Sequence, residues 1–164
     1  MPDQQGESLV TPDMIERKGV WGSTKVAPPI SESDVRKWAI AVYWPDTPPP
    51  LFWDAAYAAG TRWGAILAPP DFNPFAWPVE RERATPRPKT QESRRKLRGM
   101  NGGQVETYGV AMRPGDVITA RNRLRDWDER ETRLGQTLFV YSETEWRNQN
   151  DEIVKTRVST AIRY

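Results

Sequence analysis

The chain has 164 residues, 37% of them hydrophobic and 10% aromatic, with eight Trp, fifteen Pro and a net charge of +2. That is the length of one domain, enough to bury a core and too aromatic for a disordered chain. With neither Cys nor His present, disulfides, thiolate nucleophiles, thiolate-bound zinc and imidazole acid–base catalysis are excluded, and carboxylates, hydroxyls and Lys remain for chemistry. No EF-hand spacing offers an all-oxygen metal site, so no metal is expected. The balanced charge gives no argument for nucleic acid.

Residues 1–18 read as a flexible N-terminal arm with at most a helical turn near Met14 to Lys18. The arm begins polar and acidic, with no basic stretch leading into an apolar run, and no run approaches the ~20 residues of a membrane span. A cytoplasmic location is the resulting expectation. Residues 19–164 read as a single domain. Val20 to Ala27 suit a short strand that Pro28 and Pro29 end. Ser31 with Asp34 three residues later opens a helix over 32–43, in which Val35, Trp38, Ala39 and Val42 form one apolar stripe. Residues 44–50, Trp-Pro-Asp-Thr-Pro-Pro-Pro, predict an extended loop. A short helix follows from Trp53 to Ala59, with Gly60 as its cap. Asp71 is placed to cap a short buried helix from Phe72 to Trp77.

Residues 78–103 carry eight basic residues against three acidic ones and predict a long loop closed by Gly102-Gly103. The last sixty residues change character. Strands are expected over 104–112, 116–127, 136–147 and 152–164. In the third, Leu138, Val140, Ser142, Thr144 and Trp146 share one face and Thr137, Phe139, Tyr141, Glu143 and Glu145 the other. In the fourth, Val154, Thr156, Val158, Thr160 and Ile162 alternate with Lys155, Arg157, Ser159 and Arg163. The connections are turn-like: Arg113-Pro114-Gly115-Asp116, the polar run from Asp128 to Gly135, and Asn148 to Asp151. The expected fold is α+β, an antiparallel meander with one face covered by the aromatic-rich helical half.

This order of elements resembles the hot-dog fold, an antiparallel sheet wrapped around a central helix. It is most similar to the MaoC-like dehydratases, in particular the group named for a FAS1-like dehydratase domain. Three stretches carry the resemblance: the helix Ser33 to Val42, the run Ala58 to Pro70, and Met112-Arg113-Pro114-Gly115-Asp116-Val117-Ile118 with its PGD turn. The resemblance implies that two hot-dog units pack side by side with an acyl-CoA thioester between them. Catalytic units of the family carry a G-D-x-N-P-x-H pattern, whose Asp and His move protons, and a backbone N–H at a helix start that holds the thioester oxygen.

Here the matching stretch runs from Pro45 to Phe52. Asp46 falls on the Asp position and is a weak catalytic candidate, with a turn residue between prolines as the plainer reading. The His position falls on Leu51 or Phe52, which transfer no proton. The helix-start pair falls on Ala68 and Pro69, and proline has no N–H. The resemblance therefore implies a non-catalytic, substrate-shaping subunit of a heteromeric enoyl-CoA hydratase, a lyase of lipid metabolism, paired with a separate MaoC-like chain that holds the full motif. A homodimeric acyl-CoA-binding protein without turnover, and a thioesterase using carboxylates such as Asp46 or Asp71, are the alternatives.

Substrate contacts are expected from Phe52, Trp53, Trp63, Asp71, Phe72 and Asn73. Tyr57, Phe75 and Trp77 extend the aromatic set, which suits either core packing or a channel for a bulky ring-containing acyl group. Arg94, Arg95, Lys96 and Arg98 suit a clamp on CoA phosphates, or else a solvated loop. Arg121, Arg123 and Arg125 share a strand face, as solvated surface or as an interface with acidic partner residues. No cofactor is expected beyond CoA as part of the substrate.

Overall fold

The computed structural model describes residues 8–78 and 98–164. The elements in chain order are α1 (Pro12–Arg17), β1 (Lys25–Val26), α2 (Glu32–Tyr43), α3 (Ala55–Ala59), β2 (Gly99–Tyr108), β3 (Thr119–Thr132), β4 (Gly135–Arg147) and β5 (Ile153–Arg163). All strands join one antiparallel sheet in the order β1-β3-β4-β5-β2. No helix among the described residues is long and apolar enough to cross a membrane.

Each helix starts where its first side chain relieves the unpaired N–H groups of the first turn. Ser31 Oγ accepts from the Asp34 N–H at 3.1 Å, and Asp54 from the Tyr57 N–H at 3.0 Å. Thr11 caps α1 in the same manner. The stripe on α2 is shorter than expected. Val35 and Ala39 are fully buried and Trp38 packs against the core, but Val42 is exposed and Tyr43 takes the next inward place.

The described part of the expected arm docks on the sheet. Leu9 and Met14 join Leu138 and Val140 in a buried cluster at one end of β4. The strand expected over 20–27 narrows to Lys25–Val26, although residues 19–27 still track the β3 edge by backbone bonds. At the other end of the sheet, Val35 of α2, Ala58 of α3, Phe72, Met112, Ile118, Trp146 and Val154 form the main core.

The helix expected from Phe72 to Trp77 does not form. Pro69, Pro70 and Pro74 withhold N–H donors, and the segment folds as turns in which the Phe72 N–H bonds the Pro69 carbonyl and the Ala76 N–H the Asn73 carbonyl. Phe72 nevertheless reaches the core, edge-on to Trp38 with ring centroids 5.5 Å apart.

The strand limits also move. β2 begins at Gly99 and absorbs Gly102-Gly103 as an irregularity of its ladder with β5, with Gly103 at φ +102. Residues 79–97, most of the expected basic loop, lie outside the described residues. β3 runs to Thr132 and pairs through to Gly135, so the long polar connection shrinks to Arg133-Leu134. The PGD turn forms, but it does not close a hairpin: β2 crosses to pair with β5 instead of β3, so the expected four-strand meander is a β3-β4-β5 meander with β2 on its far edge. Asp116 Oδ2 accepts from the Arg113 N–H at 2.8 Å, and the Gly115 N–H ties the turn to the Ile30 carbonyl at 2.7 Å.

Candidate functional site

The segments at 51–52, 63–70 and 108–112 are short, and Gly64, Pro69 and Pro70 keep the second of them irregular. They bridge the helical half and the end of the sheet, and a cavity of about 270 Å³ opens between them. Leu51 and Phe52 form one wall, and Trp63 with the run Leu67 to Pro70 a second. Tyr108 to Met112 and Val154 complete it from the sheet side. Four of the residues that the motif comparison singled out for missing proton-transfer groups, Leu51, Phe52, Ala68 and Pro69, thus converge on one apolar space. A larger hollow shares Trp63 and Gly109 to Ala111 with it and continues to Arg113, the carboxylates Asp116 and Glu152, and the amides Asn148, Gln149 and Asn150. Arg113 Nη1 donates to the Trp63 carbonyl at 2.9 Å and fixes that shared wall.

A charged cluster borders the cavity on the β2–β5 ladder. Residues directly opposite on paired strands share a face, so Glu106 and Arg157, and Tyr108 and Lys155, point to the face that also carries Trp146. Tyr108 Oη donates to Glu106 Oε2 at 2.6 Å, and Arg157 Nε donates to Glu106 Oε1 at 2.6 Å. Burial pushes the Glu106 carboxyl up, but the Tyr108 hydroxyl, the Arg157 guanidinium and the Lys155 charge outweigh it and hold it below its ordinary value. The hydrogen bond to Glu106 raises Tyr108, with burial and the charges of Glu106 and Asp71 adding to it. Lys155 is only 2% exposed, its ammonium 5.0 Å from the centre of the Trp146 ring. Burial lowers its pKa against the pull of Glu106 and Asp71.

Of the residues singled out from sequence, Phe52 and Trp63 meet in the cavity wall. Trp53 is 43% exposed, with its indole N–H on the Pro48 carbonyl. Phe72 belongs to the core, and Asn73 Oδ1 accepts from the Phe75 N–H at 3.0 Å within its turn. Asp71 is exposed, and its charge bears on Lys155 and Tyr108. Asp46 sits exposed in a turn with its N–H on the Tyr43 carbonyl, outside the cavity wall. Arg98 is held by a reciprocal pair of backbone bonds with Tyr164, and Arg94, Arg95 and Lys96 lie outside the described residues.

Arg121 and Arg123 pair with Glu145 and Glu143 within the chain. Leu51, Tyr108, Met112 and the Glu106–Lys155–Arg157 cluster were not anticipated. The alternation in β5 did not show which face is covered: Arg157 and Lys155 stand opposite Thr144 and Trp146 on the core side, and the register shift past Trp146 leaves Val154 out of the pairing. Val154 and Lys155 are consequently both buried.

The arrangement can hold an apolar group. Among the described residues of the cavity wall the Tyr108 hydroxyl is the one ionisable group, and its hydrogen is directed at Glu106. No group of His, Cys, Asp and Glu suited to a metal ion occurs among the described residues.

The family model described as "FAS1-like, dehydratase domain region" matches residues 17–157. Among curated proteins, none matches the sequence. The fold is similar to that in the ChsH1–ChsH2 complex from Mycobacterium tuberculosis, with a TM-score of 0.67 at 20% identity over 91% of this chain and 87% of that one. A MaoC-like dehydratase from Rhodospirillum rubrum gives a TM-score of 0.54 at 12% identity, covering 86% and 90%. The HadBC (3R-hydroxyacyl-ACP dehydratase) complex from Mycobacterium tuberculosis gives 0.53 at 14%, covering 88% and 96%. The shared architecture is the α+β hot-dog fold.

Proposed function

Since this chain belongs to the FAS1-like dehydratase domain family, we propose that it is the non-catalytic, substrate-shaping hot-dog subunit of a heteromeric enoyl-CoA hydratase. The observation that carries this reading is the cavity wall. The positions where the resemblance puts the catalytic His and the oxyanion N–H are Leu51, Phe52, Ala68 and Pro69, and all four face one apolar space. Hydration of a carbon–carbon double bond needs a base for water and an acid for the α-carbon, and the wall supplies neither.

In this reading the acyl group enters the apolar cavity, and the polar arm of the thioester lies toward the amide-lined hollow across Trp63. The basic residues Arg94, Arg95, Lys96 and Arg98 are the proposed contacts for CoA phosphates. The partner is a MaoC-like chain with its Asp and His intact, in the cytoplasm, docked along β2. That edge carries no strand among the described residues and exposes Met100, Val105 and Tyr108. Two of the similar solved structures are, by their own descriptions, complexes.

The test is hydration of short and bulky enoyl-CoA thioesters by the pure chain, and by the chain co-purified with a MaoC-like partner. Activity confined to the pair is expected. Turnover by the pure chain would overturn the reading and make Asp46 and Asp71 the residues to replace. Tight acyl-CoA binding by a homodimer, with no gain from any partner, would favour the binding-protein alternative.

A further inference from the structure

Apart from the Met112 thioether, the wall of the apolar cavity carries two polar side-chain groups, the Trp63 indole and the Tyr108 phenol. An indole N–H can only donate. A phenol ordinarily does both, but Tyr108 has a single hydrogen and it is taken. Its hydroxyl stands 2.6 Å from Glu106 Oε2. A carboxylate accepts only, and Glu106 is kept ionised by Arg157 on its other oxygen and by the Lys155 charge beside it. The proton of that contact therefore stays on Tyr108.

We infer that Tyr108 is a specificity-determining residue that presents a fixed hydrogen-bond acceptor to the cavity and selects ligands that bring a donor to it. The inference rests on the acyl-CoA reading and adds to it a chemical discrimination. A hydroxyl on the acyl group satisfies Tyr108 Oη, and a carbonyl at the same carbon meets an oxygen lone pair and is disfavoured. An amide N–H of the pantetheine arm is a second source of the same donor.

The cluster also supplies the control. Arg157 donates to Glu106 Oε1 and Tyr108 to Oε2. In Glu106→Gln, Arg157 keeps the amide oxygen on its side and the amide NH₂ faces Tyr108. That NH₂ donates to the phenol oxygen, which frees the phenol hydrogen to point at the ligand. The acceptor becomes a donor without loss of the ring.

The experiment measures dissociation constants of the full chain, alone and with its MaoC-like partner. The probes are matched acyl-CoA pairs that differ at one carbon in hydroxyl against carbonyl, the corresponding free acids, and the unsubstituted acyl-CoA. The parent protein is expected to favour the hydroxylated member by roughly three- to tenfold, the range of one hydrogen bond. Tyr108→Phe should bring the pair to equality, and Glu106→Gln should reverse the order. If the preference persists in the free acids, the donor is on the acyl group. If Tyr108→Phe instead weakens every CoA ligand alike, the unsubstituted one included, the donor is the pantetheine amide.

Equal binding of the pair by the parent, with no loss for any ligand in Tyr108→Phe, overturns the inference and leaves the acyl-CoA reading standing. Failure of every acyl-CoA to bind, alone and with partner, brings down that reading and this inference together. Unfolding midpoints of both variants, expected close to the parent's for Tyr108→Phe, separate a lost contact from a lost fold.

Discussion

Along β3 the outer edge of the sheet is occupied by the chain's own residues 18–27, whereas along β2 the outer edge carries no strand among the described residues. On the covered side the Gly19, Gly22 and Ala27 N–H groups bond to the carbonyls of Leu124, Asn122 and Ile118 at 2.7, 2.8 and 2.9 Å. Trp21 lies under two guanidinium groups, those of Arg121 at 4.4 Å and Arg123 at 4.3 Å from its ring centre. The bare side is ten residues long and holds one charge, Glu106, which is tied inward to Arg157. An unpaired edge is a template for another strand, and soluble proteins blunt such edges with Lys, Pro or a covering segment. Among the described residues, this chain blunts one edge and leaves the other open.

The largest effect is expected at the root of the bare edge. Gly109 follows β2, and a Cβ built there would stand 2.0 Å from the Ile153 carbonyl oxygen. Backbone cannot yield to that as a side-chain tip would. Gly109→Ala should therefore destabilise the chain by about 3 kcal/mol, read as a drop in urea midpoint, and free the end of β2 from β5. A midpoint equal to the parent's would mean that the β2 edge is not held as described.

On the covered edge the matching change is Trp21→Ala. It removes a half-buried ring and two cation–π contacts, at a cost of about 2 kcal/mol. Amide exchange should report it locally, with the Gly19 and Gly22 N–H groups losing protection while the β4 and β5 amides keep theirs. Unchanged protection at those two glycines would show that the backbone bonds alone hold the segment, and that the stacking on Arg121 and Arg123 adds nothing.

The covered edge was partly legible in the sequence and the bare one was not. Val20 to Ala27 announced a strand, yet only Lys25 and Val26 form one, and the rest of the run touches β3 at separate points. α2, the PGD turn and the β3-β4-β5 meander followed from caps, turn residues and period-two alternation, all local signals, whereas the crossing of β2 to the far side of β5 did not. Three features were not local. The start of β2 at Gly99 depends on pairing with Arg163 across the sheet, which Gly102-Gly103 concealed. The burial of Lys155 depends on its place opposite Trp146 in the ladder with β4. The cavity depends on three irregular segments meeting, so Phe52 and Trp63 were found by their bulk and Tyr108 was missed because it reads as a strand end.

Acid acts on both edges more gently. Glu106 anchors β2 to β5, and its folded pKa lies below the ordinary 4.5. A carboxyl depressed on folding contributes stability that is fully present above its unfolded value and is lost as pH falls through the lower folded one. Glu145, near the covered edge, is held down chiefly by Arg147, with burial opposing and Arg121 assisting. Stability should therefore fall below about pH 4.5. Glu106→Gln and Glu145→Gln should each flatten part of that fall, by about 1 kcal/mol at most for pairs that water still reaches. Exchange at the β2 amides should follow the first variant and not the second. A fall of the same steepness in Glu106→Gln would remove the ion pair from the account of how β2 is held.

The gentlest change for the fold is the most telling for function. Val105 is 69% exposed on β2, opposite Val158 of β5. Val105→Lys should shift the stability of the isolated chain by less than about 0.5 kcal/mol, as surface substitutions do. A charge on an open edge is, however, a common device against strand addition. If a MaoC-like chain docks along β2, the same lysine should weaken association at least tenfold, about 1.4 kcal/mol, measured by sedimentation of the mixed chains. The control is a lysine on the opposite side of the molecule at Ile15, which is 62% exposed on α1 and should leave association unchanged. Loss of association in both variants would point to non-specific repulsion. Loss in neither would mean that β2 is left bare for some reason other than a partner, and the contrast between the two edges would cease to support a subunit role.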